Sequence, residues 1–546
     1  MSPVVDPVSH GTVILIKIIV AVLLSIFLLV RLRGRRNSPQ RGAGRLPRPS
    51  RSSLAFLVVL AVFSLVNFYN YGFFHNRYLN YGWLDKRAFL HLWEFYHYYT
   101  GAKYFEELGY HNLYNATIVA DAEDGLRLAR VVRIRDLGAS GFISRDQILS
   151  RSREFKQRFS SRRWDEFKAD VRYFTERLPP QVLTKMLIDH GYNPTPAWNT
   201  TGSFLANRIS VDKLDYLALI DVAILFAIVA SIGISYGAET ALVATISFGI
   251  SFFSGFPATG GAFLRYDWLL GLVLSLCFVR RRHYALAGAA LAYATLVRII
   301  PVFFLFGLVV KAVWETVRLR AFPEKYARFF LSFLLTSTLL FGYGCLTSRG
   351  FDAWKDFTGK ITTHHRNLTG NSVGFKMVFL YEASWEDPIS FAFEYGQSGE
   401  EVESVLNRAK GAEISRRRPM FLLYSLVVLT LSGLALLRVP DEEALAWGIV
   451  PIFMILNVSD YYYSFLVINA VVWYHGAGRR PYSFLLLSAT HILVLWIQRS
   501  VDYSLFATAL TSLVLFLFTL ALIFSELSGN IDGLSRRLSS LRSLRS

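Results

Sequence analysis

Apolar blocks of near-membrane length recur along almost the whole chain, and they constrain the fold more than any single motif. The first runs from Thr12 to Val30. Others occupy residues 54–70, 214–232, 239–255, 266–279, 284–298, 299–315, 327–346, 419–438, 443–458, 460–475, 482–498 and 503–525, about thirteen in all. A hydrocarbon core about 30 Å thick takes roughly 20 apolar helical residues to cross. The expectation is therefore an all-α polytopic membrane protein with about 13 transmembrane helices. Composition agrees: 53% of residues are hydrophobic, 18% are charged and the mean hydropathy is +0.35. Those values exclude a soluble enzyme and a disordered chain. Cys277 and Cys345, the two cysteines, lie in or beside apolar segments and cannot build a disulfide framework or a zinc cluster.

Charge orients the blocks. Residues 1–11 carry Asp6 and no Lys or Arg, whereas Arg31, Arg33, Arg35, Arg36, Arg41, Arg45, Arg48 and Arg51 follow the first block without an acid among them. A secretory signal has the opposite polarity, so the first block reads as a retained helix. Lys and Arg favour cytoplasmic connectors, which places the N-terminus outside and the C-terminus inside. Arg280-Arg281-Arg282, the stretch from Lys311 to Arg328, and Arg479-Arg480 fall on the cytoplasmic side as well. The net charge of +18 then reflects connectors facing the cytoplasm and membrane lipids rather than nucleic acid.

The resulting organisation is an extra N-terminal transmembrane helix (1–30), a basic cytoplasmic linker (31–53), a membrane core (54–346) containing a first outer loop (71–213), a second outer loop (347–418), C-terminal transmembrane helices (419–525) and a basic cytoplasmic tail (526–546). Both large extracytoplasmic loops contain amphipathic helices. In the first, Phe155, Phe159, Trp164, Phe167, Val171 and Phe174 recur at mostly helical spacing, suited to resting on the bilayer or on the protein's own membrane domain. Segments 284–298 and 299–315, parted near Pro301, are read as two spans.

Chemistry is concentrated where the second span ends. Glu94 opens a run that includes Trp93, Tyr96, His97, Tyr98, Tyr99, Lys103 and Tyr104. Sugars stack on aromatic faces, and a carboxylate at an apolar boundary is drawn towards general-base duty. An interfacial aromatic belt with an incidental acid has the same composition. Arg298, a charge near membrane depth, requires an anionic partner; a lipid phosphate fits, as do snorkelling or a pair with Asp267. Asp221, inside a span, faces a helix partner or a cavity. No phosphate-binding glycine loop, Gly-x-Ser-x-Gly or His-Glu-x-x-His motif is present.

Glu94, the tyrosines four and five positions on, Leu108-Gly109 and Leu113-Tyr114 together resemble the first outer loop of the GT-C glycosyltransferases. The nearest variant is the bacterial branch of polyprenyl-phosphate-dependent mannosyltransferases. The resemblance continues through the connector Gly255 to Gly261, Arg265-Tyr266-Asp267-Trp268, and the small-residue helix from Ala287 to Arg298 and Pro301. It implies that Glu94 is the catalytic base, with Asp85 in reserve. It places the donor phosphate against Arg298, His364, His365 and Arg366, and lines the substrate cavity with Tyr98, Tyr99, Asp267, Asn371, Tyr461 and Tyr462. The implied reaction inverts the sugar from a polyprenyl-phosphate donor onto a lipid, glycan or protein hydroxyl, outside a bacterial inner membrane. No cofactor is required, and a divalent metal is possible without being favoured. A polymerase or ligase using a diphosphate donor is the alternative, and a transporter ranks third.

Overall fold

The computed structural model describes residues 8–36, 46, 48–72, 75–76, 79–80, 89–139, 141–347, 349–366, 370–395, 402–478, 480–501 and 505–543. The protein is 78% helical. Among the described residues three short antiparallel pairs are present: β1 (His75–Asn76) with β2 (Leu79–Asn80), β3 (Arg133–Asp136) with β4 (Gly141–Ser144), and β5 (Ser372–Val373) with β6 (Val458–Ser459).

Among the described residues, eight helices are long and apolar enough to cross a membrane: His10–Gly34, Arg51–Phe68, Val211–Tyr236, Ile300–Leu319, Glu324–Gly344, Ser404–Leu436, Tyr482–Ser500 and Leu505–Ser528. The remaining apolar blocks form shorter elements. Ala238–Ile250, Asp267–Arg280 and Tyr284–Val297 have 13, 14 and 14 residues. Segment 443–458 breaks into Asp441–Ala446 and Ile449–Ile455, and segment 460–475 into a 3-10 turn and a ten-residue helix, Leu466–His475. Apolar helices of this length that are enclosed by protein need not match the bilayer thickness. Leu466–His475 is buried at nine of its ten positions. By length alone, these shorter helices fall below the eight that can cross a membrane unaided.

Four helices position the site. We label them α1 (Leu214–Tyr236), α2 (Asp267–Arg280), α3 (Tyr284–Val297) and α4 (Leu305–Leu319). α3 packs between α2 and the helix Glu324–Gly344. Small residues permit this closeness: a Cβ on Gly288 would lie 2.1 Å from the Phe329 carbonyl oxygen. The start of α3 and the latter half of α4 line one cavity, so the chain reverses at Arg298, as two separate segments require.

The first long polar segment, within residues 71–213, folds on itself. Its helix Ser161–Arg177 buries Trp164, Phe167, Val171 and Phe174. These meet the aromatic run of the same loop, with Phe167 edge-on to Tyr104 at 5.0 Å and Phe174 edge-on to Tyr96 at 5.8 Å. The amphipathic stripe thus faces neither the bilayer nor the membrane helices. Lys103 is paired there with Asp170 at 2.7 Å and Glu166 at 2.8 Å. In the second loop, the helix Gly350–Arg366 docks on the first through Lys360, which donates to the Tyr110 carbonyl at 2.9 Å. The last residues of this second loop are helical and continuous with the next apolar block. One helix, Val402–Leu436, runs without interruption through Pro419.

Candidate functional site

Glu94 lies in a helical turn, Leu92–Phe95, that leads into a π-helical turn at Tyr96–Thr100. His91 caps it: its Nδ1 accepts the Glu94 amide at 3.3 Å, and its own amide donates to the Gly261 carbonyl at 2.9 Å. Burial lowers the His91 pKa, favouring the neutral ring that this acceptor role needs. Only glycine fits at position 261. Its φ is +60°, and a Cβ would lie 1.6 Å from the Phe89 carbonyl oxygen. The connector from Gly255 to Gly261 is thereby pressed against the turn that carries Glu94.

Asp221 sets the residues that follow. Its carboxylate accepts the Arg265 amide at 2.8 and 2.9 Å and the Tyr266 amide at 3.3 Å. The acid inside α1 thus satisfies amides at the entrance to α2, where negative charge is favoured. Fixed in this way, Arg265 reaches back and donates Nη1 to Glu94 Oε2 at 3.0 Å. Its guanidinium also stands 4.2 Å from the Tyr461 ring centre, and Nη2 is buried without a hydrogen-bond partner.

Arg298 occupies the break after α3, in extended backbone with φ −148° and ψ 114°. It is 6% exposed. Its guanidinium lies 5.2 Å from the Tyr98 ring centre and 5.8 Å from that of Trp198. Asp267 is a favourable neighbouring charge, but it accepts from its own neighbour's amide, Trp268, at 2.7 Å and from the Tyr293 phenol. Arg298 makes no ion pair among the described residues, and its Nη2 is buried without a hydrogen-bond partner. The pair with Asp267 does not form. A buried charge left in this condition is costly unless something else supplies the counter-charge.

Tyr461 and Tyr462 arrive from the opposite side, on the 3-10 segment Asp460–Phe465. The β5–β6 pairing and the Asp460 amide, which donates to the Asn371 carbonyl at 2.8 Å, bring the second outer loop beside them. Trp268, Arg265, Arg298, Tyr461, Tyr462 and Ser464 enclose a space of about 10 Å³. That is room for one water at most. The space beside the two arginines is therefore small, and a much larger cavity lies elsewhere in the molecule.

The structure therefore gathers Glu94, Tyr98, Arg298, Asp267, Tyr461 and Tyr462, with Asn371 at the edge through its backbone. Tyr99 stands apart. Its hydroxyl donates to the Ile209 carbonyl at 2.9 Å and accepts from Lys103 at 3.3 Å, inside the first loop's own core. Asp85 falls outside the described residues, as do the side chains of His364, His365 and Arg366, whose backbone closes the helix Gly350–Arg366. Among the described residues no group of three or more His, Cys, Asp or Glu is placed to hold a metal.

Sequence reasoning missed two contributors, Arg265 and His91; the segment Gly191 to Trp198 reads from sequence as a cavity wall or as plain packing, and Trp198 stands beside Arg298. Arg265 was visible as an isolated charge in a short connector, directly before an aromatic residue and an acid at a helix start. Chemically, the assembly sets two buried guanidinium groups, Arg265 and Arg298, beside the carboxylates of Glu94 and Asp267, with aromatic walls. An anion that entered would meet the Arg298 guanidinium, which no carboxylate pairs among the described residues, next to a base. No family model, curated protein or solved structure matches the chain.

Proposed function

We propose that the protein is a membrane glycosyltransferase of the GT-C type. It moves a sugar from a polyprenyl-phosphate donor to an acceptor hydroxyl at the extracytoplasmic face of a bacterial inner membrane. The observation that carries this reading is Arg298, buried and unpaired beside the Arg265–Glu94 ion pair. The donor phosphate supplies the missing counter-charge. As it enters between the guanidinium groups it draws Arg265 away from Glu94, which opens the site and frees the carboxylate. Glu94 then takes the proton of the acceptor hydroxyl as that oxygen attacks the anomeric carbon. The bond to phosphate breaks on the opposite face, and the configuration inverts. Polyprenyl phosphate leaves as an anion, its growing charge held by arginine, so the chemistry requires no metal.

The test is binding of labelled polyprenyl monophosphate to protein in lipid nanodiscs. Arg298→Met should bind at least tenfold more weakly than wild type. Its melting temperature should be unchanged or higher, because removing an uncompensated buried charge is not destabilising. Equal binding by the two proteins rejects the assignment.

A second reading, a lipid-linked glycan polymerase or ligase with a diphosphate donor, is favoured by the two buried guanidinium groups, each with an Nη2 that has no hydrogen-bond partner among the described residues. It makes Glu94 dispensable.

A further inference from the structure

α2 begins next to the Glu94 site and carries the chain away from it. From Asp267 to Arg280 the helix rises about 20 Å. α3 returns from Tyr284 to Arg298, and α4 descends again past Lys311 and Glu315. The far ends of these helices, with the start of the helix Glu324–Gly344, line a cavity of about 930 Å³. That is the size of a small-molecule site.

Its acids are already satisfied. Asp441 accepts from Tyr284 at 2.5 Å, from Lys325 at 2.9 Å and from Tyr326 at 2.9 Å. Glu315 accepts from Lys325 at 3.1 Å and Tyr326 at 2.9 Å, and Glu442 from Arg280 at 2.9 Å. The surplus is basic. Lys311 is 8% exposed, and its nearest carboxylate oxygen, on Glu315, is 3.8 Å away, beyond hydrogen-bond distance. Arg281 and Arg282 make no ion pair among the described residues; Arg281 donates only to the Ile234 carbonyl, at 3.0 Å. The N-termini of α3 and of Glu324–Gly344 open at the same end, where the C-termini of α1 and α2 oppose their positive dipoles, so the basic character rests on the side chains. The neighbouring helices expose Val313, Val317, Leu331 and Leu334, apolar surface suited to lipid.

We propose that this cavity is a second binding site, for a phosphate group carried by a lipid head group or by a soluble ligand. Lys311 contacts the phosphate inside the cavity, and Arg281 and Arg282 contact it at the rim. The proposal does not depend on the reaction at Glu94.

Native mass spectrometry of the full chain in a neutral detergent tests it, with phosphatidylglycerol, phosphatidylcholine and inorganic phosphate as probes. Wild type should retain one phosphatidylglycerol. Lys311→Met and Arg282→Gln should each bind it at least tenfold more weakly, while phosphatidylcholine binds poorly to all three. Arg282 is exposed and without a described partner, so its variant carries the test even where Lys311→Met folds badly. Displacement of the lipid by millimolar inorganic phosphate assigns the site to soluble phosphates; retention assigns it to lipid. Equal binding of phosphatidylglycerol or phosphate by wild type and Arg282→Gln overturns the proposal, as does failure of wild type to bind either.

Discussion

Buried charge is the common thread among the residues that matter here, and its cost depends on what faces it. Lys103 meets two carboxylates within 2.8 Å. Arg298 meets aromatic faces and no ion-pair partner among the described residues. Lys360 is an intermediate case: its ammonium donates to the Tyr110 carbonyl, and burial draws its pKa down to about 7 against the opposing effect of Asp189. The sign of the consequence follows. Between about pH 7 and the ordinary lysine value of 10.5, the unfolded chain holds a proton that the folded protein has released. Stability gains a rising contribution as pH climbs through that window. Thermal unfolding in detergent from pH 7 to 9 should show a rise for wild type that is flattened in Lys360→Met. Parallel profiles would place Lys360 in water.

At the scale of elements, the site depends on two short connections that hold Glu94 and Arg265 at 3.0 Å. Gly261→Ala introduces a side chain where φ is +60° and the Phe89 carbonyl is in the way. The left-handed backbone alone costs about 1–2 kcal/mol, and the contact adds to it. The expected result is a lowered melting temperature together with lost donor binding, because His91 and Glu94 must shift. Asp221→Ala leaves two amides at the start of α2 without their acceptor, at about 1–3 kcal/mol. Transfer activity should fall with stability, whereas Asp221→Asn, which keeps one acceptor oxygen, should recover part of both. These dependencies also explain what the sequence could reveal. Glu94 and Arg298 stand out because an acid at a helix end and an arginine among small apolar residues are expensive where they are. Arg265 looks ordinary until Asp221, 44 residues earlier, is seen to hold its backbone. His91 and Gly261 gain meaning only from each other.

The whole molecule has apolar helices of two lengths. Among the described residues eight are long and apolar enough to cross a membrane. Of the short ones, α2 is largely buried whereas α3 exposes Leu286 and Tyr293, and both run between the Glu94 site and the large basic cavity. Their apolar character was legible in the sequence; their length relative to the membrane was not, because a core helix and a span share one hydropathy signal over 14 residues. The two long polar segments stand out by composition, but that the first packs on its own aromatic run was not legible from its amphipathic stripe. The Arg265–Glu94 ion pair predicts that donor binding and ion-pair release occur together, so Glu94 acts as a base only once donor is bound.

The most direct measurement is turnover. Purified protein in lipid would be offered a panel of polyprenyl-monophosphate sugars with an acceptor mixture, and release of polyprenyl phosphate would be scored for wild type and Glu94→Gln. Release from one donor, reduced at least a hundredfold in the variant as expected for loss of a general base, is the predicted result. Full transfer by Glu94→Gln, or silence from every donor with folded wild-type protein, would contradict it.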